Sequence, residues 1–282
     1  MRAEGLAVAI QGEAGSFSHL AARQVHGEHV RLLPCVGFAE LFCAVETGEA
    51  DRGMVPIENS LAGSIHENYD LLGARGGALH VVAETAVRVR HCLIAPPGTA
   101  LADLRRVVSH PVALVQCRKF FSEHPELEPV PAYDTAGSVR DLMARPVPAT
   151  AAIGSALAAA LYGAVVLRKG LEDHEANHTR FLVIAREPAP LERATKTSVV
   201  LTLPNLPGSL HRALGVFAAR RLQLTKLESR PLAGRPWEYS FYLDVMGDPR
   251  REVGEALAEL SGLASELRVL GSYQAAEVAA AS

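Results

Sequence analysis

Hydroxyl-bearing residues recur where an apolar strand of this sequence gives way to a helix. They are Ser16, Ser18, Ser60, Ser109, Thr135 and Ser138. The first turn of a helix has unpaired N–H groups and the positive end of the helix dipole, so each junction favours a carboxylate or a phosphate. In open α/β folds, ligands bind beyond the carboxyl ends of the strands, where such junctions gather. The pattern therefore indicates an anion-binding cleft, with ordinary helix capping as the alternative.

A second pattern, His174-Glu175-Ala176-Asn177-His178, matches the HExxH motif of zinc hydrolases. That motif requires both histidines on one helix, with a further ligand downstream. Here an apolar strand, residues 181–184, follows almost at once and leaves the second histidine no helix to continue. Solvent-exposed loop histidines are therefore favoured over a zinc site.

The elements that position these residues alternate between strand and helix over the first two thirds of the chain. Residues 112–121 form an amphipathic segment, for which Ser109 is a plausible N-cap. The predicted strands are residues 7–10, 53–57, 92–95, 106–108, 151–154, 165–167 and 181–185. This alternation is typical of an α/β domain.

The stretch from residue 146 to residue 167 contains no Asp, Glu, Lys or Arg and is long enough to span a bilayer. It is mostly alanine, however, and includes glycine. We predict two short strands that flank a helix ending at Gly163, and no membrane span.

A proline- and charge-rich segment, residues 187–196, precedes a compact C-terminal pattern. The order there is strand, helix, strand, strand, helix, strand, which is that of a ferredoxin-like unit. We therefore predict a main domain over residues 5–186, a linker over 187–196, a second domain over 197–274 and a frayed tail over 275–282.

The composition excludes several classes of partner. The 282 residues have a net charge of −3 and four scattered cysteines without a CxxC pair. This charge balance gives no reason to expect nucleic acid or an anionic membrane as partner. The cysteines indicate buried thiols in a reducing compartment. Because no secretion signal is visible, we expect a cytoplasmic protein.

Several motifs, in this order and spacing, resemble those of monofunctional prephenate dehydratases, from about residue 6 to residue 274. In the first two thirds they are residues 12–18 (GEAGSFS), 55–60 (VPIENS), 109–111 (SHP), 116–117 (QC), 134–136 (DTA), 162–163 (YG) and 177–181 (NHTRF). Residues 207–210 (PGSL) and 228–231 (ESRP) look like the two phenylalanine-binding motifs of an attached ACT domain.

The resemblance implies an enzyme that removes water and carbon dioxide from prephenate, without cofactor or metal. It implies two α/β lobes like those of periplasmic binding proteins, with chain crossings near Glu84 and Leu167. A homodimer or homotetramer is implied as well, with feedback regulation by L-phenylalanine bound at the interface between ACT domains. The phenylalanine contacts would come from Pro207, Gly208, Ser209, Leu210, Glu228, Ser229 and Arg230.

The resemblance also implies catalytic roles. The hydroxyl of Thr179 would assist the departing oxygen, and Arg180 would clamp a carboxylate, unless it forms a structural salt bridge with Asp173 or Glu175. His110 would orient the substrate or act as general acid. Further hydrogen bonds would come from Asn59, Ser60, Ser109 and Thr135, and the substrate would also contact Ser16, Ser18, Ala136, Ser138, Asn177 and Phe181.

Three classes of function remain open from the sequence. They are the dehydratase, a zinc hydrolase, and a non-catalytic sensor that binds a small acid in the same cleft. Within the dehydratase class, no residue decides between prephenate and arogenate as substrate.

Overall fold

We describe the chain from a computed structural model, which covers residues 5–75, 77–232 and 234–276. Most of the tail that the sequence predicts to be frayed lies outside these residues. Ala275 and Ala276 are the exception, and their backbone N–H groups donate to Thr195 Oγ1 and Glu84 Oε1.

The first lobe is built on a six-stranded sheet. Its strands, numbered in chain order, are β1 (Ala7–Gln11), β2 (Arg31–Cys35), β3 (Arg52–Asn59), β4 (Gly63–Ser64), β5 (His80–Arg88) and β11 (His178–Ala185). They lie in the order β2-β1-β3-β11-β5, and β4 pairs with the end of β3. The helices are α1 (Phe17–His26), α2 (Phe38–Thr47) and α3 (His66–Ala74). β1 is buried on both faces, which explains its uninterrupted apolar sequence.

The second lobe has a five-stranded sheet in the order β10-β6-β9-β7-β8. Its strands are β6 (Cys92–Ala95), β7 (Arg106–Ser109), β8 (Glu128–Pro131), β9 (Thr150–Gly154) and β10 (Val165–Lys169). Its helices are α4 (Pro111–Val115), α5 (Arg118–Glu123), α6 (Thr135–Ala144) and α7 (Ala156–Tyr162). The alanine-rich stretch is thus strand, helix and strand as predicted, and Gly163 ends α7 in the left-handed conformation. No helix of the described chain is long and apolar enough to cross a membrane.

Two local predictions in the second lobe are wrong. Residues 112–121 form two short helices, interrupted at Gln116 and Cys117, where the sequence predicts one. The residue that caps α4 is His110 and not Ser109. Ser109 cannot cap this helix because it ends β7 and its hydroxyl donates to the carbonyl of Ile153.

The chain passes between the lobes twice. The first crossing is residues 89–91, between β5 and β6, and the return is residues 170–177, between β10 and β11. Both crossings lie a few residues beyond the predicted positions near Glu84 and Leu167, because Glu84 still lies within β5 and Leu167 within β10.

The C-terminal unit has one four-stranded antiparallel sheet in the order β13-β14-β12-β15. Its elements are β12 (Lys196–Thr202), α8 (Ser209–Ala219), β13 (Leu224–Pro231), β14 (Tyr239–Met246), α9 (Glu252–Ser261) and β15 (Glu266–Tyr273). Residues of α8 and α9 pack with residues of the sheet in one apolar core. Other sheet residues, including Val200, Tyr242 and Tyr273, share a core with the first lobe.

The contact between the C-terminal sheet and the first lobe is close enough to require a glycine. A Cβ atom added at Gly271 of β15 would overlap the carbonyl oxygen of Val81 in β5. The C-terminal unit therefore packs directly on a strand of the first lobe.

Candidate active site

A cavity of about 270 Å³ lies between the two lobes. Its walls are formed by the β3–β4 hairpin, by β11 and by the first residues of three helices. Its lining residues are Phe17, Asn59, Ala62, Gly63, Ser64, Ile65, Val89, His91, His110, Val112, Ala113, Gln116, Thr135 and Thr179. None of these is Lys or Arg, so an anion bound there would depend on hydrogen-bond donors and helix N-termini.

The side-chain orientation of Asn59 is fixed by the backbone around it. Its Oδ1 accepts hydrogen bonds from the N–H groups of Leu61 (3.0 Å) and Ala62 (2.9 Å). Its Nδ2 therefore points the other way, where the carbonyl oxygen of His178 lies at 3.2 Å. Because backbone groups cannot exchange donor for acceptor, this arrangement settles which end of the amide is which.

The same amide group determines what the Thr179 hydroxyl can do. Asn59 Nδ2 donates to Thr179 Oγ1 at 3.0 Å. The hydroxyl oxygen is thereby an acceptor in this bond, and its own proton remains free to be donated. Thr179 lines the cavity, so it offers a hydrogen-bond donor to a ligand there.

The orientation of Asn59 also fixes the donor and acceptor ends of the amide groups that follow it across the cleft. Asn59 Nδ2 donates to Asn177 Oδ1 (2.8 Å), so Asn177 Nδ2 donates to Gln116 Oε1 (3.0 Å). His91 Nε2 lies 2.9 Å from the same Gln116 oxygen and must therefore carry the proton. The amide nitrogen of Gln116, a residue that lines the cavity, is left to donate to a ligand.

The two histidines of the cavity are donors through Nε2. Burial lowers the pKa of His91 in opposition to its hydrogen bond with Gln116, so the ring is neutral at pH 7. His110 Nδ1 accepts from the backbone N–H of Val112 at 3.3 Å. Its Nε2 therefore carries the proton in the neutral ring, which makes His110 a donor as well.

Three helices begin at the cavity, at Phe17, Pro111 and Thr135. Asp134 caps the third helix by accepting from the N–H of Gly137 at 2.6 Å, and burial raises the pKa of this carboxyl group. The first-turn N–H groups of α1 and α6 and the helix dipoles favour negative charge.

The turn after β1 holds the two lobes together beside the cavity. Ser155 Oγ donates to the carbonyl of Gly15 at 2.5 Å, and Tyr162 Oη donates to that of Ala14 at 2.8 Å. A Cβ atom at Gly12 would lie 2.7 Å from Asp134 Oδ2. This turn can adopt its position only because both Gly12 and Gly15 have positive φ angles.

The structure brings four of the residues named from the sequence together at the cavity: Asn59, His110, Thr135 and Thr179. Asn177 lies behind them, fully buried in the amide network. The structure also brings Gln116, His91, Phe17 and Ser64 to the cavity, residues for which the sequence predicts no role. Gln116 belongs to the motif at residues 116–117, but its partner Asn177 lies 61 residues away in sequence and no local pattern reveals it.

Several hydroxyl residues named from the sequence do not line the cavity, which corrects their expected role as substrate ligands. Ser60 Oγ donates to the carbonyl of Ala176 and accepts from the N–H of His178, so it fixes the loop before β11. Ser109 is buried and donates to a backbone carbonyl of β9. Ser16 caps α1, Ser18 is buried in that helix, and Ser138 donates to the carbonyl of Asp134.

Two apolar contacts named from the sequence are corrected in the same way. Ala136 is fully buried in α6, where it packs in the core of the second lobe. Phe181 lies in the core of the first lobe. Neither side chain lines the cavity.

Arg180 is not a carboxylate clamp at the cavity. Its Nη2 lies 2.6 Å from Glu84 Oε2, and its Nη1 lies 2.6 Å from Asp244 Oδ2. Lys196 Nζ joins the cluster 2.6 Å from Glu84 Oε1. A structural salt bridge is therefore observed, although its partners are not Asp173 and Glu175. Arg180 instead joins β11 to the C-terminal unit.

We expect Glu84→Gln to lower the free energy of unfolding by about 3 kcal/mol, because it leaves Lys196 and part of Arg180 unpaired in a buried site. Burial alone would raise the pKa of Glu84, but the charge of Arg180 and the hydrogen bond from Lys196 lower it. The stabilisation is thus present above the unfolded-state pKa of about 4.3 and lost as pH falls through the lower folded-state value.

Urea unfolding at pH 7 and at pH 3 measures both effects, and the difference between wild type and variant should shrink at the lower pH. Glu28→Gln is the matched control, since Glu28 pairs with Arg23 at an exposed position. Equal, small losses for both variants would contradict the role given to Glu84.

The residues expected to bind phenylalanine lie on two elements of the C-terminal unit. Gly208, with φ of +80°, precedes α8, and Ser209 Oγ accepts from Arg212. Pro207 is exposed, and Leu210 packs against the C-terminal core. On β13, Ser229 is exposed, whereas the side chains of Glu228 and Arg230 contact the first lobe.

The HExxH segment does not lie on a helix. His174 and Glu175 lie in the return crossing, and His178 begins β11. Among the described residues, no group of three His, Cys, Asp or Glu side chains is arranged to hold a metal ion.

Comparison with known proteins identifies the family. The prephenate dehydratase (PDT) family profile matches residues 8–189. Arogenate dehydratase/prephenate dehydratase 2 of Arabidopsis thaliana is 42% identical over 278 residues, which cover 94% of this chain and 72% of the relative. This chain belongs to the prephenate dehydratase family.

Two solved structures are similar over almost the whole chain. Prephenate dehydratase from Arthrobacter aurescens, in complex with L-Phe, has a TM-score of 0.87 and 36% identity, and the match covers 95% of this chain and 90% of that one. GqqA, described as a novel type of quorum quenching acylase, has a TM-score of 0.87 and 39% identity, with 95% and 98% coverage.

The comparison also bears on location. The Arabidopsis relative is named chloroplastic, as are arogenate dehydratases 3, 5 and 6 of the same plant. Against these names, the prediction of a cytoplasmic location is wrong.

Proposed function

We propose that this protein converts prephenate to phenylpyruvate, with loss of water and carbon dioxide, in the synthesis of L-phenylalanine. The observation that carries the proposal is the cavity between the lobes of a prephenate dehydratase family member, lined by hydrogen-bond donors of fixed orientation. Those donors match what the reaction requires of a protein.

Prephenate is a dianion with two carboxylates and a ring hydroxyl. When the ring carboxylate leaves as carbon dioxide, the electrons of the broken C–C bond enter the ring and expel the hydroxyl group. The hydroxyl takes up a proton and leaves as water, and the ring becomes aromatic. The driving force lies in the substrate, so the protein has to orient it and stabilise the departing oxygen, for which donors suffice.

The geometry supports a role for each polar residue of the cavity. Thr179 donates its free proton to the departing oxygen, as a hydrogen-bond donor and not as a strong acid. Asn59 holds that hydroxyl in position. Gln116, His110 and Thr135 donate to the carboxylates, with the N-termini of α1 and α6 behind them. No step in this scheme uses a metal or an organic cofactor.

The C-terminal unit is proposed to be a ferredoxin-like ACT domain over residues 197–274, following a catalytic domain over 5–186 and a linker over 187–196. Its βαββαβ order supports the assignment. The chain would be a monofunctional dehydratase under feedback inhibition by L-phenylalanine, the ligand of the Arthrobacter complex. Pro207–Leu210 and Glu228–Arg230 are the proposed contacts.

A homodimer or homotetramer is proposed for the assembled protein. β13 is an edge strand of the C-terminal sheet and exposes Leu227. An edge strand of this kind can pair with a strand of another chain. Phenylalanine inhibits in this scheme only by binding one quaternary arrangement more tightly than another.

The names of the relatives indicate two other candidate reactions, the dehydration of arogenate and the reaction of an acylase. Arogenate carries an amino group where prephenate has a ketone. An acylase requires an activated nucleophile. Among the described hydrogen bonds, none joins a hydroxyl of the cavity to an imidazole. The one hydroxyl there that meets a lysine, Ser64, meets an ammonium group already paired with two carboxylates. The cavity therefore favours a dehydratase over an acylase.

The experiment compares prephenate, arogenate and an acyl-homoserine lactone as substrates of the purified protein, with a chelator present. We expect saturable turnover of prephenate that survives chelation, and inhibition when L-phenylalanine is added. Turnover of arogenate alone, of the lactone alone, or only with added metal would overturn the proposal.

A further inference from the structure

Two side chains of β13 extend out of the C-terminal unit to the hairpin that forms one wall of the cavity. Lys226 Nζ lies 2.8 Å from Ser64 Oγ and 3.0 Å from Glu58 Oε1. Ser64 Oγ donates to Glu228 Oε2 at 2.5 Å. Ser64 also lines the cavity. One hydroxyl group therefore touches both the C-terminal unit and the substrate space.

Lys226 contacts both arms of the β3–β4 hairpin at one pair of facing residues. Glu58 of β3 and Ser64 of β4 are directly paired residues, and the next pair is Asn59 with Gly63. By contacting Glu58 and Ser64 together, the ammonium group holds the two arms of the hairpin side by side. Asn59, which orients the hydroxyl of Thr179, is the adjacent residue on the same arm.

The Lys226–Glu228 side of this cluster is largely shielded from water, whereas the Glu58 side chain is 36% exposed. The side chains of Lys226 and Glu228 are 11% and 19% exposed, respectively. The ammonium group also lies 5.8 Å from the centre of the Tyr69 ring. Ion pairs in such surroundings are screened less than surface pairs, and losing one partner leaves a buried charge without compensation.

We propose that Lys226 and Glu228 are positioning residues of the active site, which act through Ser64 to hold the hairpin that carries Asn59. The proposal rests on the proposed dehydratase function. It makes the C-terminal unit part of the catalytic geometry in each chain, before any effector binds.

The proposal also specifies how an effector on β13 would reach the substrate. Both oxygens of Glu228 are engaged, Oε2 by Ser64 and Oε1 by His66 at 3.2 Å. A ligand ammonium group that binds this carboxylate has to displace at least one of these contacts. When the Ser64 contact is the one displaced, the hairpin is released, and binding at β13 then lowers activity without entering the cavity.

The test is a double-mutant cycle on Ser64→Ala and Lys226→Met. We expect each single variant to lower kcat/KM for prephenate by about tenfold, below the hundredfold that a misplacement of 1 Å can cost. In the Ser64→Ala background, Lys226→Met should add less than about a twofold loss, because its route to the site is already gone. Losses that multiply independently would contradict the proposal.

Asp70→Asn is the matched control. Asp70 forms a bidentate pair with Arg230, at 2.9 and 2.7 Å, between the same two units, but it does not line the cavity. It should leave kcat/KM within about twofold of wild type. A loss equal to that of Lys226→Met would show that any contact between the units has this effect, which overturns the assignment to Ser64.

A second readout separates this proposal from the dehydratase function. The amide protons of Leu61 and Ala62 are held by Asn59 Oδ1, and their hydrogen exchange can be measured in protein that has no activity at all. Lys226→Met should speed this exchange, and Asp70→Asn should not. Wild-type protein without turnover would refute the function alone. Unchanged exchange in Lys226→Met would refute the positioning role.

Discussion

Replacing Thr179 by alanine is expected to lower kcat for prephenate by about 10²- to 10³-fold, while leaving the fold and the unfolding midpoint almost unchanged. The hydroxyl lines the cavity and receives a hydrogen bond from Asn59, so its proton is the one that remains free for the substrate. Its stabilisation grows as charge develops on the departing oxygen, and for that reason the loss should appear in kcat and not in KM.

Thr179→Ser is the matched control, because it keeps the hydroxyl group and removes only a methyl group. It should retain activity within about tenfold of wild type. Steady-state rates and a urea unfolding curve for each variant are sufficient. An alanine variant that turns over at the wild-type rate would remove Thr179 from the mechanism.

Replacing Asn59 by aspartate should have a comparable effect, with a loss in kcat of at least about a hundredfold. The introduced carboxylate can still accept from the backbone of Leu61 and Ala62, but it has no N–H to donate. The Thr179 hydroxyl would then donate to this carboxylate in place of the substrate. The substitution thus reverses the polarity of one hydrogen bond with almost no change in shape.

Asn68→Asp controls for the cost of placing a carboxylate in the interior of this lobe. Asn68 is fully buried and donates to the carbonyl of Pro56 at 2.6 Å, yet it does not line the cavity. It should lower stability by about 1–3 kcal/mol and leave kcat of the folded protein near that of wild type. If both aspartate variants lost kcat equally, the polarity argument for Asn59 would fail.

The sequence was sufficient for elements whose signals are local. The strand at residues 92–95 was placed correctly from its apolar run and the turn after it, and the left-handed cap at Gly163 separated a short helix from a membrane span. The amphipathic segment at 112–121 was misread as one helix, because periodicity cannot detect an interruption at Gln116 that is held by tertiary contacts.

The error at Arg180 has a simple geometric origin. The sequence placed the start of the last strand of the first lobe at residue 181, whereas β11 begins at His178. Neighbouring residues of a strand point to opposite faces, so Thr179 and Arg180 cannot both face the same cavity. The extra residues of β11 are stabilised by pairing with β3 and β5, which lie far away in sequence.

The partners of the polar residues were the least predictable feature. Ser109 meets a carbonyl 44 residues away and Arg180 meets Asp244, contacts that no local pattern encodes. Helix-start hydroxyls therefore indicated where the cleft lies but not which of them would be free to bind a ligand. That distinction depends on which acceptor each hydroxyl group meets in the folded chain.

The most direct test of the proposed reaction is to measure carbon dioxide and phenylpyruvate released from prephenate by the wild-type protein, with the uncatalysed reaction subtracted. We expect saturable formation of both products in equal amounts, and Thr179→Ala should lower the rates of both by the same factor. Folded protein that forms neither product above the uncatalysed rate, or forms one without the other, would contradict the assignment.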